Sequence, residues 1–152
     1  MEELKSLIIE GTKKTPLIEF NNLTGELVLS GKSYPENTAR VYEPVVEWIS
    51  DYIKTYHKTT NFHLRLDYFN STSLLWIVKI LKMLSTYDKK ESNLFINLYF
   101  DDEDFDLKDK EEFKDIIFSV FENVTNPKLT ISVKIHGIDC NGNVVQESTI
   151  VI

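Results

Sequence analysis

The sequence is poor in the residues that cross-link or loosen a chain. It has a single cysteine, Cys140, which excludes an internal disulfide and a cysteine-rich zinc site. Only five glycines and four prolines occur in 152 residues, which excludes a disordered, collagen-like or low-complexity chain. The fold must therefore be stabilised by packing, and the length suits one domain, 1–152, with a full hydrophobic core.

Positive charge is also scarce. The chain carries 17 Lys and Arg against 24 Asp and Glu, a net charge of −7, so no overall field draws it to nucleic acid or to an anionic membrane. The segment Met1–Lys5 has acids where a secretory signal has bases, and no apolar run approaches the ~18 residues of a membrane span. We expect a cytoplasmic protein with neither nucleic acid nor membrane as a partner.

The local signatures of common enzymes are missing. No glycine-rich phosphate loop, HExxH zinc motif or GxSxG nucleophile turn occurs, so we expect neither an enzyme nor a bound cofactor or metal. Asp102, Asp104 and Asp106 have the spacing that opens an EF-hand, but Leu107 and Phe113 stand where that loop needs Gly and Glu. We interpret this acidic segment as a solvated loop, with Asp106 capping the helix that follows.

Three segments have helical periodicity. Apolar residues recur at three- and four-residue steps from Glu36 to Tyr56, where Pro44 marks either a bend or the start of the regular helix. Leu74–Tyr87 is apolar nearly all round, which is typical of the most buried helix. A third apolar stripe runs from Phe113 to Phe121.

The remaining apolar segments have the patterns of strands. Pro16–Phe20 and Glu26–Ser30 flank turn residues and predict a hairpin, and 137–152 predicts a C-terminal hairpin around Asn141-Gly142. Between them lie three alternating strands, Phe62–Tyr68, Leu94–Phe100 and Leu129–Ile135. The alternation gives each strand one wet face, so we predict an α/β domain with a mixed sheet of five to six strands and helices mainly on one face.

Polar residues of these strands offer one candidate site. His63, Arg65, Asp67 and His136 can share the polar sheet face, where two histidines and a carboxylate would serve a metal or a general base. The alternative is that all of them are ordinary outward-facing strand residues. This set supports the competing hypothesis of a small-ligand-binding or metal-dependent enzymatic domain.

A second candidate lies where a strand ends and the most apolar helix starts, in Asn70-Ser71-Thr72-Ser73. Asn70 or Ser71 can cap the helix by accepting a hydrogen bond from an unpaired amide. An exposed hydroxyl here can also receive a phosphate, whose charge the helix dipole tolerates but a docked surface does not. One short segment therefore suits both a cap and a switch.

Three sequence blocks resemble the SiaC family of bacterial regulatory phosphoproteins, whose fold is similar to the STAS domains of anti-sigma-factor antagonists. The resemblance covers roughly 11–120 and leaves the C-terminal hairpin outside. The blocks are Gly11-Thr12 with Thr15-Pro16, Gly31–Asn37 followed by Tyr42, Pro44 and Trp48, and Leu66–Ser73. The family likeness implies a STAS-like fold and a regulatory protein that is no catalyst.

The resemblance also implies site residues and partners. A dedicated kinase phosphorylates the hydroxyl residue after the Asn at this helix start, and a metal-dependent serine/threonine phosphatase removes the phosphate, which places the acceptor at Ser71. The family commonly has Thr there, so Thr72 is the alternative acceptor. The unphosphorylated form binds a signalling enzyme, in the best-known case a diguanylate cyclase that it activates. The implied partner surface comprises Asn70, Ser71, Thr72, Ser73, Tyr34 and Glu36.

Overall fold

The computed structural model describes residues 4–87, 90–101, 107–122, 124, 128–138, 141 and 143–151. Strands and helices follow the predicted order, preceded by one additional short strand. The elements are β1 Leu7–Ile9, β2 Leu17–Phe20, β3 Glu26–Ser33, α1 Thr38–Tyr52, β4 Thr59–Phe69, α2 Ser71–Leu84, β5 Ser92–Asp101, α3 Leu107–Phe121, β6 Leu129–Ile138 and β7 Val144–Val151.

The strands form one seven-stranded sheet in chain order from β1 to β7. Strands β3 to β6 are parallel, whereas the pairs β1–β2, β2–β3 and β6–β7 are antiparallel. The three crossovers between parallel strands all advance in the same direction across the sheet. Because such crossovers are almost always right-handed, α1, α2 and α3 lie on one face of the sheet. The predicted mixed sheet with helices on one face is confirmed.

The core lies between this sheet face and the helices. Alternate strand residues such as Phe62, Leu64 and Ile96 are buried there, and Ile77 of α2 packs among them without any exposed area. Each fully buried side chain of this size stabilises the fold by about 1.5–3 kcal/mol. No helix among the described residues has the length and apolar character to cross a bilayer.

The helix boundaries differ from the sequence prediction. Helix α1 begins at Thr38, because the side chain of Asn37 accepts a hydrogen bond from the Arg40 amide, and it ends at Tyr52. Pro44 therefore lies inside the helix, and the prediction that the helix reaches Tyr56 is wrong. Helix α2 starts at Ser71, directly after Asn70, one of the two predicted caps, and it ends at Leu84, so the apolar segment that reaches Tyr87 extends beyond the helix.

Strand β4 contains a bulge near its carboxyl end. Gly31 of β3 lies opposite Leu66, but the next residue, Lys32, lies opposite Tyr68, so Asp67 is an extra residue on β4. A bulge of this kind interrupts the alternation of side chains. Tyr68 is 54% exposed as a result, and the prediction that it continues the buried face is wrong.

The last strand, β7, pairs antiparallel with β6, which confirms the predicted C-terminal pairing. Cys140 and Gly142 of the predicted turn lie outside the described residues. The same holds for the acidic residues that precede α3, namely Asp102, Asp104 and Asp106.

Candidate functional site

Asn70 joins the end of β4 to the start of α2. Its Oδ1 accepts a hydrogen bond from the Ser73 amide at 2.8 Å, and its own amide donates to the Ser33 carbonyl at 2.9 Å. Asn70 is therefore the helix cap, which resolves the two alternatives left by the sequence. The Ser71 hydroxyl is not needed for capping.

The three hydroxyl residues that follow have different environments. Ser71 and Thr72 occupy the first two helical positions and are exposed, whereas Ser73 has no exposed area. The first two hydroxyl residues are accessible to solvent, but the third lies inside the protein. We expected Ser73 in the partner surface, and the structure places its side chain beneath that surface.

Ser73 belongs to a buried chain of hydroxyl groups. Its Oγ donates to the Ser33 carbonyl at 3.1 Å and accepts from the Ser33 Oγ at 2.8 Å. The Tyr42 hydroxyl lies 2.6 Å from the Ser33 Oγ and donates to it, because the single Ser33 proton is directed to Ser73. Burial raises the pKa of Tyr42, and hydrogen bonding with the side chains of Ser33 and Ser73 offsets part of that effect. The network ties β3, α1 and the start of α2 together.

Two exposed apolar side chains lie within four residues of Ser71 in the chain, Tyr68 before it and Leu75 after it. Leu75 is 71% exposed and stands one helical turn after Ser71, so the two side chains are neighbours on the helix surface. Tyr68, turned outward by the bulge, packs its ring edge-on against Tyr34 at a centroid distance of 5.5 Å. We call Tyr68, Ser71, Thr72 and Leu75 the α2 patch.

The remaining two residues of the expected partner surface lie on the segment between β3 and α1. Tyr34 borders the α2 patch through its contact with Tyr68. Glu36 is exposed, and its carboxylate pairs with the Lys14 ammonium at 3.4 Å. Two such exposed charges stabilise the fold by about 1 kcal/mol at most, so Glu36 stays available to a partner.

The polar sheet face has a different organisation from the one considered for a metal site. His63 has both ring nitrogens in use, with Nε2 at 2.6 Å from Glu26 and Nδ1 at 2.9 Å from the Tyr99 hydroxyl. His136 stacks on Tyr99 at 4.5 Å and places its Nε2 3.2 Å from the Asn97 side-chain oxygen. Hydrogen bonding therefore accounts for the imidazole nitrogens of His63.

The expected ligand set is not assembled. Asp67 is the bulged residue of β4 and is exposed, as is Arg65. The described part of the chain contains no group of three or more His, Cys, Asp or Glu that could hold a metal ion. His63, Asp67 and His136 are thus not brought together as a metal site.

Sequence reasoning missed two parts of the candidate site. Ser33 and Tyr42 form the buried hydrogen bonds beneath the start of α2. In the sequence, the only feature that pointed to them was their place in the family-like blocks. Leu75 and Tyr68 provide the exposed apolar surface of the candidate site. Leu75 could have been identified from the sequence, because it lies four residues after Ser71 and therefore on the same face of the helix. The exposure of Tyr68 depends on a β-bulge that no local sequence pattern predicts.

These features define a small α/β domain with one helical layer and an accessible hydroxyl pair at the start of its central helix. The model of the SiaC family of regulatory phosphoproteins matches residues 9–147. The chain belongs to this family. The match extends past the segment that the three sequence blocks cover and reaches into β7.

Solved structures agree with this assignment. Apo-SiaC from Pseudomonas aeruginosa is 25% identical with a TM-score of 0.64, over 83% of this chain and 97% of that protein. A second structure of that SiaC is 25% identical with a TM-score of 0.66, over 86% and 98%. In a third structure, SiaC of the same organism is in complex with the diguanylate cyclase SiaD, which it activates; it shares the fold at 24% identity and a TM-score of 0.65, over 86% and 99%.

A curated relative is also found in Pseudomonas aeruginosa. It is an uncharacterized protein of strain UCBPP-PA14, 32% identical over 81 residues. The matched segment is 53% of this chain and 64% of the relative, so the chain covers less than two thirds of the relative's length.

Proposed function

We propose that this protein is a phosphorylation-controlled adaptor whose α2 patch binds a signalling enzyme in the cytoplasm, and that phosphorylation of Ser71 ends the contact. The observation that carries the proposal is the exposed hydroxyl of Ser71 at the first residue of α2, one turn from the exposed Leu75. Membership of a regulatory phosphoprotein family supports it. In this role the chain is no enzyme and needs neither cofactor nor metal.

The local geometry suits a reversible switch. A phosphate at the first helical position lies near the positive end of the helix dipole, so the fold tolerates its charge of about −1.5 to −2. A partner that covers Leu75 and Tyr68 would instead have to desolvate that charge. A loss of about 1.4 kcal/mol in binding free energy is enough to weaken the complex tenfold.

The buried network gives the patch a fixed shape. Asn70 caps the helix and Ser73 holds it to Ser33, so the backbone that carries Ser71 is anchored on both sides. A preformed surface loses less conformational entropy on binding than a mobile one. Binding and release can therefore depend on the charge at Ser71 alone.

The proposed partners follow from the family. SiaC of Pseudomonas aeruginosa is the activator of a diguanylate cyclase, and we infer that an enzyme of this kind is the binding partner here. A dedicated kinase would phosphorylate Ser71, with Thr72 as the alternative acceptor, and a metal-dependent serine/threonine phosphatase would reverse it. Neither modifying enzyme needs access to Ser73, which is buried.

The acceptor is tested with a purified serine/threonine kinase from the same organism. The full chain and its Ser71→Ala and Thr72→Ala variants are incubated with ATP and this kinase, and the phosphate is mapped by mass spectrometry. We expect phosphate at Ser71 in the unmodified chain and in Thr72→Ala, and none in Ser71→Ala. Phosphate confined to residues other than Ser71 and Thr72 contradicts the assignment.

The switch is tested by binding to a purified diguanylate cyclase from the same organism. Ser71→Asp should weaken binding by about tenfold or more. The control is Ser119→Asp, which adds the same charge at an exposed serine of α3, near the opposite end of the molecule, and should leave binding unchanged. Equal binding of Ser71→Asp and the unmodified chain would contradict the proposal that a charge at Ser71 ends the contact.

The docking surface is tested separately from the switch. Leu75→Ser removes an exposed apolar side chain and should weaken cyclase binding while leaving the unfolding free energy within about 0.5 kcal/mol of the unmodified value. Ile116→Ser, on the exposed side of α3, is the matched control, since that side chain is also exposed. Normal cyclase binding by Leu75→Ser would remove the α2 patch from the interface.

A further inference from the structure

A basic recess lies at the end of the sheet opposite to the α2 patch. It measures about 680 Å³ and is lined by residues at or just before the starts of β4, β5 and β6, namely Tyr56, Lys58, Lys90, Glu91, Ser92, Asn93, Lys128 and Thr130. Parallel strands bring their amino ends to one edge, which is why segments distant in sequence meet here. Eleven residues of β4 separate this edge from Asn70, roughly 36 Å at about 3.3 Å per residue.

Three lysines converge on the recess although the chain as a whole carries a net charge of −7. Backbone hydrogen bonds fix two of the segments that bear them, since Asn93 N donates to the Lys58 carbonyl and Ser92 N to the Lys128 carbonyl, each at 2.9 Å. The spacing of Lys58 and Lys128 thus follows from the sheet itself. A local positive field within an acidic protein favours the binding of an anion.

The third lysine is held by an aromatic ring. Lys90 Nζ lies 5.1 Å from the centroid of the Tyr56 ring, and the Tyr56 hydroxyl donates to the Glu91 carbonyl at 3.3 Å. The cation–π contact orients the ammonium without neutralising it. The Glu91 carboxylate also lines the recess and opposes an anion, so it provides a test of the sign of the field.

A buried hydroxyl completes the set. Ser92 is only 6% exposed, lines the recess, and its Oγ has no hydrogen-bond partner among the described residues. Buried hydroxyls nearly always have a partner, and a phosphate oxygen is a suitable acceptor. The recess volume also lies in the range of small-molecule sites.

We propose that this recess binds the polyphosphate group of a small anion, with Lys58, Lys90 and Lys128 as counter-charges and Ser92 Oγ as a hydrogen-bond donor. Lysines are suited to such a group as mobile point charges. The site is independent of phosphorylation at Ser71, because it lies at the other end of the parallel strands.

The test is calorimetric titration of the full chain at low ionic strength with two probes, inorganic triphosphate and ATP. We expect one site per chain, with affinity that falls as salt is added. Lys58→Gln, Lys90→Gln and Lys128→Gln should each weaken binding by about threefold to tenfold, and Ser92→Ala by a few fold. Glu91→Gln should tighten binding.

Lys32→Gln is the matched control, because Lys32 is an exposed lysine at the opposite ends of the strands, and binding should not change. The recess lysines are exposed, so their variants are expected to fold. Equal affinity for the two probes supports recognition of phosphates alone, and tighter ATP binding supports an added contact of the nucleoside with Tyr56. No binding at millimolar probe, or equal weakening by Lys32→Gln, overturns the proposal.

Discussion

The hydroxyl of Ser73 lies 2.8 Å from that of Ser33, although the two residues are 40 positions apart in the chain. This contact fixes the first turn of α2 to the end of β3 inside the protein. The exposed Ser71 is thereby displayed on a helix start that is anchored from below. Ser73 and Ser71 have the same side chain, but Ser73 is buried and holds the helix, whereas Ser71 is exposed and is the proposed acceptor.

The first prediction concerns this contact. Ser73→Ala should lower the free energy of unfolding by about 1–3 kcal/mol, because it leaves Ser33 Oγ buried with one partner fewer. Urea denaturation followed by circular dichroism measures the change. Ser119→Ala, at an exposed serine, should cost less than about 0.5 kcal/mol.

A double-mutant cycle isolates the pair. Ser33→Ala alone should also destabilise, but the double variant Ser33→Ala/Ser73→Ala should lose less than the sum of the two single losses, because each single change already removes their mutual hydrogen bond. Strictly additive losses would show that the two hydroxyls do not interact.

The second prediction concerns the effect of charge on the fold itself. Ser71→Asp should raise the free energy of unfolding by about 0.3–1 kcal/mol, because the carboxylate stands in the first turn of α2, where the helix dipole favours a negative charge. Thermal unfolding at low ionic strength measures it. The control is Ser71→Asn, whose side chain has the shape of Asp without the charge, and its free energy of unfolding should rise less than that of Ser71→Asp.

This result bears on the switch. If Ser71→Asp loses its partner while its melting temperature is equal or higher, then release comes from the interface and not from unfolding. A lower melting temperature for Ser71→Asp than for Ser71→Asn would contradict the dipole argument.

How far the sequence predicts this fold depends on whether the signal is local. Periodicity found the helices and the alternating strands, because one buried face leaves a repeated pattern. It failed at Tyr68, where the bulge at Asp67 changes which side of the sheet the next residue faces. The candidate acceptor Ser71 was identified from a local cap motif together with family-like blocks.

The buried hydrogen bonds beneath α2 and the lysine-lined recess could not be predicted from local patterns. The Ser33–Ser73 contact and the recess formed by Lys58, Lys90 and Lys128 depend on strand order, since each joins residues from different strands or helices. No spacing of residues along the chain predicts that these side chains lie close together. The pairing of His63 with Glu26 and Tyr99 likewise required the register of three strands.

The third prediction compares two glycines with positive φ. At Gly25, φ is +74° and an added Cβ would stand 2.4 Å from the Thr59 carbonyl oxygen. At Gly31, φ is +98° but nothing lies within 4 Å of that Cβ. Gly31→Ala should therefore cost only the conformational strain, about 1–2 kcal/mol, and Gly25→Ala clearly more.

Chemical denaturation of both variants measures the difference. The added cost at Gly25 arises because the backbone of β4 would have to move to relieve the clash, and Asn61 N donates to the Gly25 carbonyl at 2.8 Å in the same region. Equal losses of unfolding free energy in the two variants would mean that the backbone at the start of β4 moves at little energetic cost.

The fourth prediction concerns pH and rests on His57, whose ring stacks on Tyr52 with centroids 3.8 Å apart. Burial lowers the pKa of His57 below its usual 6.5, and a backbone hydrogen bond with Tyr52 offsets part of that effect. The unfolded chain therefore takes up a proton at a higher pH than the folded chain. Stability should fall as the pH drops below about 6.5, until it passes the lowered pKa of the folded state.

The contribution of His57 is isolated by comparison with His57→Gln, which removes the titrating ring. The stability difference between the unmodified chain and His57→Gln should shrink as the pH falls from 7.5 to 5, because only the unmodified chain loses stability through this group. Thr55→Ala removes the hydroxyl that lies 3.0 Å from His57 Nε2 but keeps the ring, so its pH dependence should persist. A difference between the unmodified chain and His57→Gln that is constant over this range would show that the stacked ring titrates equally in both states.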